Sequence, residues 1–154
     1  MACPEGAFCS TGAAEPTECS PGTVQNRTGQ GSCDKCAAGT YQDGEGETAC
    51  LTCPAGEYCE EGASAALPCL EGSYSNTKGL GASDQCSACP QGAFCSTGAT
   101  NYTECSPGTV QPAPAQGNCS LCEAGTFMNA SAQTACIYCV AGSFCAAGAS
   151  SPLP

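Results

Sequence analysis

The 154-residue sequence lacks several residue types on which enzymes and globular domains depend. It has no Trp and no His, and Tyr and Phe together number nine. Without His, no Ser-His or Cys-His pair can activate a nucleophile. With so few large apolar side chains, burial alone would struggle to offset the entropy of ordering the chain. We therefore predict that the chain is not an enzyme, that it uses no cofactor, and that something besides a hydrophobic core stabilises it.

Basic residues are equally scarce, because only Arg27, Lys35 and Lys78 stand against fourteen acids, and the net charge is −11. A nucleic-acid-binding protein needs a basic surface to meet the phosphates, and anionic lipids likewise attract basic segments. No apolar run approaches the roughly 20 residues of a transmembrane helix. The composition therefore argues against nucleic acid as a partner and against membrane insertion of this segment, and the acidity favours solubility.

What the sequence does have is cysteine, at eighteen residues or about one in nine, a level typical of disulfide scaffolds. Disulfides form in oxidising compartments, so the cysteine content predicts an extracellular location, either secreted or at the cell surface. No signal peptide accompanies these cysteines, which predicts that the sequence is a mature or interior segment.

The cysteines follow an internal repeat. Nine of them begin the sequence Cys-x-x-Gly, and two residues beyond each glycine stands an aromatic residue or Val. The glycine predicts a turn with positive φ or a close backbone approach. The aromatic residue or Val, which we call the anchor, is predicted to pack across its own module's disulfide as a miniature core. The modules begin at Cys3, Cys19, Cys36, Cys53, Cys69, Cys89, Cys105, Cys122 and Cys139.

The modules are of two kinds. In four short modules the second cysteine follows the anchor directly, as in 53–59, and in five long modules it closes the module, as in 36–50. A shift of 86 residues aligns all the later cysteines with earlier ones and gives 39 identities in 68 positions. We predict two blocks of a tandem array: residues 1–88 hold five modules, and residues 89–154 hold four, with the array expected to continue beyond residue 154.

The sequences Cys-Pro-Ala-Gly-Glu-Tyr-Cys at 53–59 and Pro-Cys-Leu-Glu-Gly-Ser-Tyr-Ser-Asn at 68–76 resemble the ephrin-receptor-like cysteine-rich repeats of large extracellular proteins. The long modules are also similar to the first sub-module of tumour-necrosis-factor-receptor cysteine-rich domains. This resemblance implies a small disulfide-rich repeat fold, an elongated rod of short β-hairpin and loop modules with little or no helix. It implies little about function, because spacers, receptor ectodomains and filament parts all use such modules.

Two disulfide arrangements fit the repeat, and cysteine spacing alone does not decide between them. One pairs the two cysteines of each module, since a single pairing then serves every long module. The other joins each short module to the long module after it, as in Cys53–Cys69 and Cys59–Cys86, and explains why short modules precede long ones. The within-module pairs are Cys3–Cys9, Cys19–Cys33, Cys36–Cys50, Cys53–Cys59, Cys69–Cys86, Cys89–Cys95, Cys105–Cys119, Cys122–Cys136 and Cys139–Cys145.

Two residue patterns resemble metal sites, but the sequence predicts no metal. The cysteines between 33 and 53 have nearly the spacing of a zinc ribbon, but zinc needs thiolates in a reducing compartment. Six acids could suggest calcium, yet the shift of 86 residues replaces every one with an uncharged residue, which indicates a solvated surface. These acids are Asp43, Glu45, Glu47, Glu57, Glu60 and Glu61.

Four sequons for N-linked glycosylation occur, at Asn26, Asn101, Asn118 and Asn129. Three of them fall in variable stretches that we expect to be exposed. Asn118 abuts Cys119, whose disulfide would hinder the transferase, and it is therefore ranked last.

We expect the chain to be a structural segment of a secreted or cell-surface repeat glycoprotein, such as the protomer of an extracellular filament or flagellar hair. Its partners would then be other copies in an extracellular assembly, together with covalent glycans. The alternative is a receptor or adhesion ectodomain that binds a protein. Charge asymmetry bears on this choice, because the first 86 residues carry twelve of the fourteen acids.

Overall fold

A computed structural model describes residues 2–154, and it consists of short antiparallel hairpins. Each hairpin joins the anchor strand, directly after the Cys-x-x-Gly turn, to the two residues that precede the next module's first cysteine. The strands are only two residues long, because the Cys-x-x-Gly turn and the next module's cysteine lie immediately beside them. The predicted fold of short β-hairpin modules with little helix is confirmed.

The chain forms two compact units. The first comprises the residues up to Pro68 together with Thr77–Cys86, and the second comprises Cys69–Asn76 together with Ser87–Pro154. The boundary between the sequence blocks 1–88 and 89–154 stays a prediction.

The first unit contains four hairpins, in which β1 pairs with β2, β3 with β4, β5 with β6 and β7 with β8. It also holds a 3-10 turn at Ser83–Gln85, the one helical element among residues 2–154. The strands are β1 (Ala7–Phe8), β2 (Thr17–Glu18), β3 (Thr23–Val24), β4 (Asp34–Lys35), β5 (Thr40–Tyr41), β6 (Leu51–Thr52), β7 (Glu57–Tyr58) and β8 (Leu67–Pro68).

The second unit contains the other four hairpins, which pair β9 with β10, β11 with β12, β13 with β14 and β15 with β16. A bridge between Phe144 and Leu153 forms the beginning of a further hairpin. The strands are β9 (Ser73–Tyr74), β10 (Ser87–Ala88), β11 (Ala93–Phe94), β12 (Thr103–Glu104), β13 (Thr109–Val110), β14 (Ser120–Leu121), β15 (Thr126–Phe127) and β16 (Ile137–Tyr138).

The disulfides of the structure close within single modules. Cys53 is bonded to Cys59, so the structure does not have the arrangement that joins a short module to the following long one. Cys69 and Cys86 are also disulfide-bonded, and no cysteine of the described chain is free. The other pairs are Cys3–Cys9, Cys19–Cys33, Cys36–Cys50, Cys89–Cys95, Cys105–Cys119, Cys122–Cys136 and Cys139–Cys145.

The buried apolar groups are mainly the cysteines themselves, and two anchors pack on cysteines of the following module. Tyr74 packs on Cys89 and Cys95, the disulfide of the following module. Val110 likewise clusters with Cys122 of the module after its own. The prediction that an anchor packs across its own module's disulfide is therefore wrong for these anchors. Each small core is shared by two consecutive modules.

Three of the long modules contain a buried glutamine whose side chain hydrogen-bonds to the loop of its own hairpin. The Gln42 side chain donates from Nε2 to the carbonyl of Ala49 at 2.7 Å and accepts the Gly44 N–H on Oε1 at 2.9 Å. Gln25 and Gln111 make the same pair of bonds in their own modules. Because buried polar groups need partners, this side chain clamps the hairpin loop of its module from the inside.

Peptide mapping without reduction will test the covalent framework. Digestion between modules is expected to release a disulfide-closed peptide that contains Cys53 and Cys59 and another that contains Cys36 and Cys50. A fragment that joins Cys59 to Cys86 would contradict the within-module arrangement. Acidic conditions and a thiol-blocking reagent serve as the control against exchange during the digestion.

Candidate functional site

The residues considered for chemistry do not form a site together. Cys33, Cys36, Cys50 and Cys53 are divided among three disulfides, so they present no thiolates to zinc. The six acids considered for calcium lie in two successive hairpins. Among residues 2–154, no three His, Cys, Asp or Glu side chains are grouped closely enough to hold a metal ion.

The junction between consecutive modules is the feature that recurs along the chain, and it consists of backbone hydrogen bonds. At the junction between the second and third modules, Gly22 donates to the carbonyl of Gln42 and Gln25 donates to the carbonyl of Glu47. The Cys36 N–H returns a bond to the Gly22 carbonyl, and Gly46 donates to the carbonyl of Cys19. Equivalent bonds recur at other junctions in both units, so docking depends little on side-chain identity.

The Cys-x-x-Gly glycine meets the backbone of the module two positions further along. Gly39 has a φ of +90°, and a Cβ on it would lie 2.5 Å from the carbonyl oxygen of Gly79. Gly6 approaches Gly46 in the same way, and Gly108 approaches Gly148. This glycine therefore has positive φ and also lies against another backbone, which are the two properties predicted for it from the sequence.

A second left-handed residue sits in the loop of every module, and from the second module onward it donates a hydrogen bond to the carbonyl of the preceding module's first cysteine. It is a glycine in most modules, such as Gly46 and Gly62, but it is alanine in two. Ala115 and Ala132, with φ of 59° and 61°, are the only non-glycine residues with positive φ within residues 2–154. Because an L-residue pays about 1–2 kcal/mol in this region, the junction's geometry outweighs that local cost at these two positions.

All four sequon asparagines lie at exposed positions. Asn26 and Asn129 each follow an anchor by two residues, in the loop of a long module, and Asn101 lies in the loop between β11 and β12. Asn118 differs from them, because its own carbonyl accepts the Nε2 of Gln111 at 2.8 Å and its neighbour Cys119 is in a disulfide.

Two features of the junction escaped the sequence-based reasoning. The left-handed loop residue was missed because alanine replaces glycine in two modules, which interrupts the motif. The buried glutamine was missed because a polar residue next to an anchor is normally read as exposed, although Val-Gln, Tyr-Gln and Val-Gln recur at 24–25, 41–42 and 110–111.

Alanine substitution will distinguish two requirements at the Cys-x-x-Gly glycine, namely positive φ and space for a neighbouring backbone. Gly39→Ala is expected to cost about 2–5 kcal/mol of unfolding free energy, because positive φ strain adds to overlap with Gly79. Gly125→Ala is the matched control. Gly125 occupies the same position 86 residues later with a φ of +87°, but no atom lies within 4 Å of the added Cβ.

The control should therefore cost only the strain, about 1–2 kcal/mol. Denaturant unfolding of the oxidised proteins measures both values. Equal destabilisation by the two substitutions would contradict a close backbone contact at Gly39.

A comparison with known protein families matches residues 22–66 to the family described as tyrosine-protein kinase ephrin type A/B receptor-like. No curated protein matches the chain. Within residues 2–154, no helix has the length and apolar character needed to cross a membrane. The many disulfides and the receptor-ectodomain family point to an extracellular location. Residues 22–66 thus belong to the ephrin-receptor-like cysteine-rich repeats, and the modules on either side repeat the same Cys-x-x-Gly pattern.

Proposed function

We propose that the chain is a structural segment of a secreted or cell-surface glycoprotein, such as the protomer of an extracellular filament or flagellar hair, and that it catalyses no reaction. The observation that carries this proposal is the uniformity of the junctions. The same backbone hydrogen bonds and the same module-closing disulfides recur from module to module. A dedicated binding or catalytic site would require one module to differ from the rest.

Its partners in this proposal are other copies of the same protein or further components of one extracellular assembly. Repeat arrays suit this use, because each repeat contacts its neighbours through equivalent surfaces and their number sets the length. The polar and acidic surface keeps such an assembly soluble without a specific ligand.

The covalent framework suits a chain that carries tension. In a long module the main chain between Cys36 and Cys50 is bypassed by the disulfide, and only two residues separate Cys50 from the next module's Cys53. Tension therefore passes through sulfur across each long module. The short modules leave the loops 10–18, 60–68 and 96–104 outside any disulfide, so noncovalent contacts alone hold these loops closed.

Single-molecule stretching will test this mechanical role. The oxidised chain is expected to lengthen in small steps of at most about 30 Å, as the unbridged loops of short modules open. After reduction the same chain should reach roughly twice its oxidised length, because the bridged segments then also extend. Large steps in the fully oxidised protein would contradict the proposal, and quantification of free thiols before each measurement provides the control.

A second candidate function, protein recognition by a receptor or adhesion ectodomain, is favoured by one observation. The first 86 residues carry twelve acids and three bases, whereas residues 87–154 carry two acids and no base. A basic partner would therefore prefer the first block.

Electron microscopy of native material, labelled with an antibody to this chain, will separate the two functions. We expect regular assemblies in which the label repeats along the structure. Single particles that bind one partner saturably, with an affinity that falls steeply as salt rises, would instead establish the recognition role and exclude the filament.

A further inference from the structure

Exposed apolar side chains lie on the closing strands of several hairpins. In the first unit they are Leu51 on β6 and Leu67 on β8, each about half exposed. In the second unit they are Leu121 on β14 and Ile137 and Tyr138 on β16, and Tyr138 is 84% exposed. Apolar groups exposed in this number favour association unless something keeps neighbouring molecules apart.

In the first unit, carboxylates accompany these side chains. The loop that leads to Leu51 carries Asp43, Glu45 and Glu47, and the loop that leads to Leu67 carries Glu60 and Glu61. All five lie in the connecting loop of the same hairpin as the leucine. Hydrated charges beside an apolar group oppose association of like molecules.

In the second unit, two sequons stand at positions where the first unit has acids, and one of them, Asn129, lies in the loop that corresponds to the loop before Leu51. The 86-residue register places Asn101 at the position of Glu15 and Asn129 at the position of Asp43. Asn101 directly precedes the exposed Tyr102, and Asn129 lies in the loop that leads to Ile137. The terminal bridge between Phe144 and Leu153 has neither an acid nor a sequon in its loop.

The sequon asparagine of the first unit, Asn26, belongs to a hairpin whose closing strand is charged and not apolar. Asn26 lies in the loop between β3 and β4, and the closing strand of that hairpin is the charged pair Asp34–Lys35. This hairpin has no exposed apolar residue on its closing strand, so a glycan at Asn26 would have nothing to cover there. Asn26 is therefore the natural control position.

We propose that N-linked glycans on Asn101 and Asn129 shield the apolar surface of the second unit, in the place of the loop carboxylates that protect the first. Each site would receive an oligosaccharide from a lipid diphosphate carrier. The amide nitrogen Nδ2 forms a bond to the anomeric carbon, the bond from that carbon to the carrier's diphosphate oxygen breaks, and the amide gives up one proton. The glycan supplies the bulk and hydration that a nearly uncharged surface lacks.

This inference rests on the proposed extracellular function, because the transferase acts in the secretory pathway. Site occupancy is measured first, by mass spectrometry after enzymatic release of glycans from secreted full-length chain, a step that converts each occupied Asn to Asp. We expect occupancy at Asn101 and Asn129. Oxidised, secreted protein without glycans at these positions would overturn the shielding inference and leave the structural function standing. Reduced protein retained in the cytosol would overturn both.

The role of the glycans is then tested by substitution. The double variant N101Q/N129Q, secreted from the same cells, is expected to self-associate at a roughly tenfold lower concentration than wild type in analytical ultracentrifugation. The variant N101E/N129D places the first unit's acidic residues at these positions and should associate no more readily than wild type, although it lacks these glycans. N26Q should match wild type.

Each variant must first show the wild-type disulfide peptides, which separates loss of shielding from misfolding. A correctly bridged N101Q/N129Q variant that associates no more readily than wild type would overturn the proposed role. Association of the acidic N101E/N129D variant to the same extent as N101Q/N129Q would overturn the equivalence of glycan and carboxylate.

Discussion

In every module except the first and the last, the first cysteine connects three modules at once, and the rest of the structure depends on it. Cys19 closes its own module through a disulfide with Cys33. The N–H of Cys19 donates to the carbonyl of Gly6 in the preceding module, and the carbonyl of Cys19 accepts from the N–H of Gly46 in the following one. Eight of the nine first cysteines are buried, five of them with no exposed surface. A covalent bond and two backbone hydrogen bonds on one small residue thus replace the core that this composition cannot form.

Because the junction is made of main chain and sulfur, most other positions vary with little consequence for docking. This freedom explains how two blocks with 39 identities in 68 positions keep equivalent hairpins while their surfaces diverge. One block is strongly acidic, whereas the other is nearly neutral, carries three of the four sequons and exposes most of the large apolar side chains. Surface chemistry here is independent of the fold that presents it.

The sequence was sufficient to predict the modules, their hairpins and the importance of the Cys-x-x-Gly glycine, because these features depend on residues close in the chain. The pairing of Cys53 with Cys59 was one of two arrangements that the spacing allowed. The disulfide on which Tyr74 and Val110 pack was predicted wrongly, since side-chain direction follows from how one hairpin stacks on the next, and spacing along the chain contains no such information. The buried Gln42 was likewise hidden, because its burial depends on the closed loop that it clamps.

What the sequence determined by itself is the unit of repetition, because each cysteine and turn glycine acts within a few residues of chain. What only the tertiary structure decided is that Gly39 lies against the backbone of Gly79, forty residues away and two modules along. This contact arises from the geometry of successive hydrogen-bonded junctions, which places each module's loop over the turn of the module two positions before it. The same geometry holds Ala115 and Ala132 in the left-handed region, where local preference alone would not have put them.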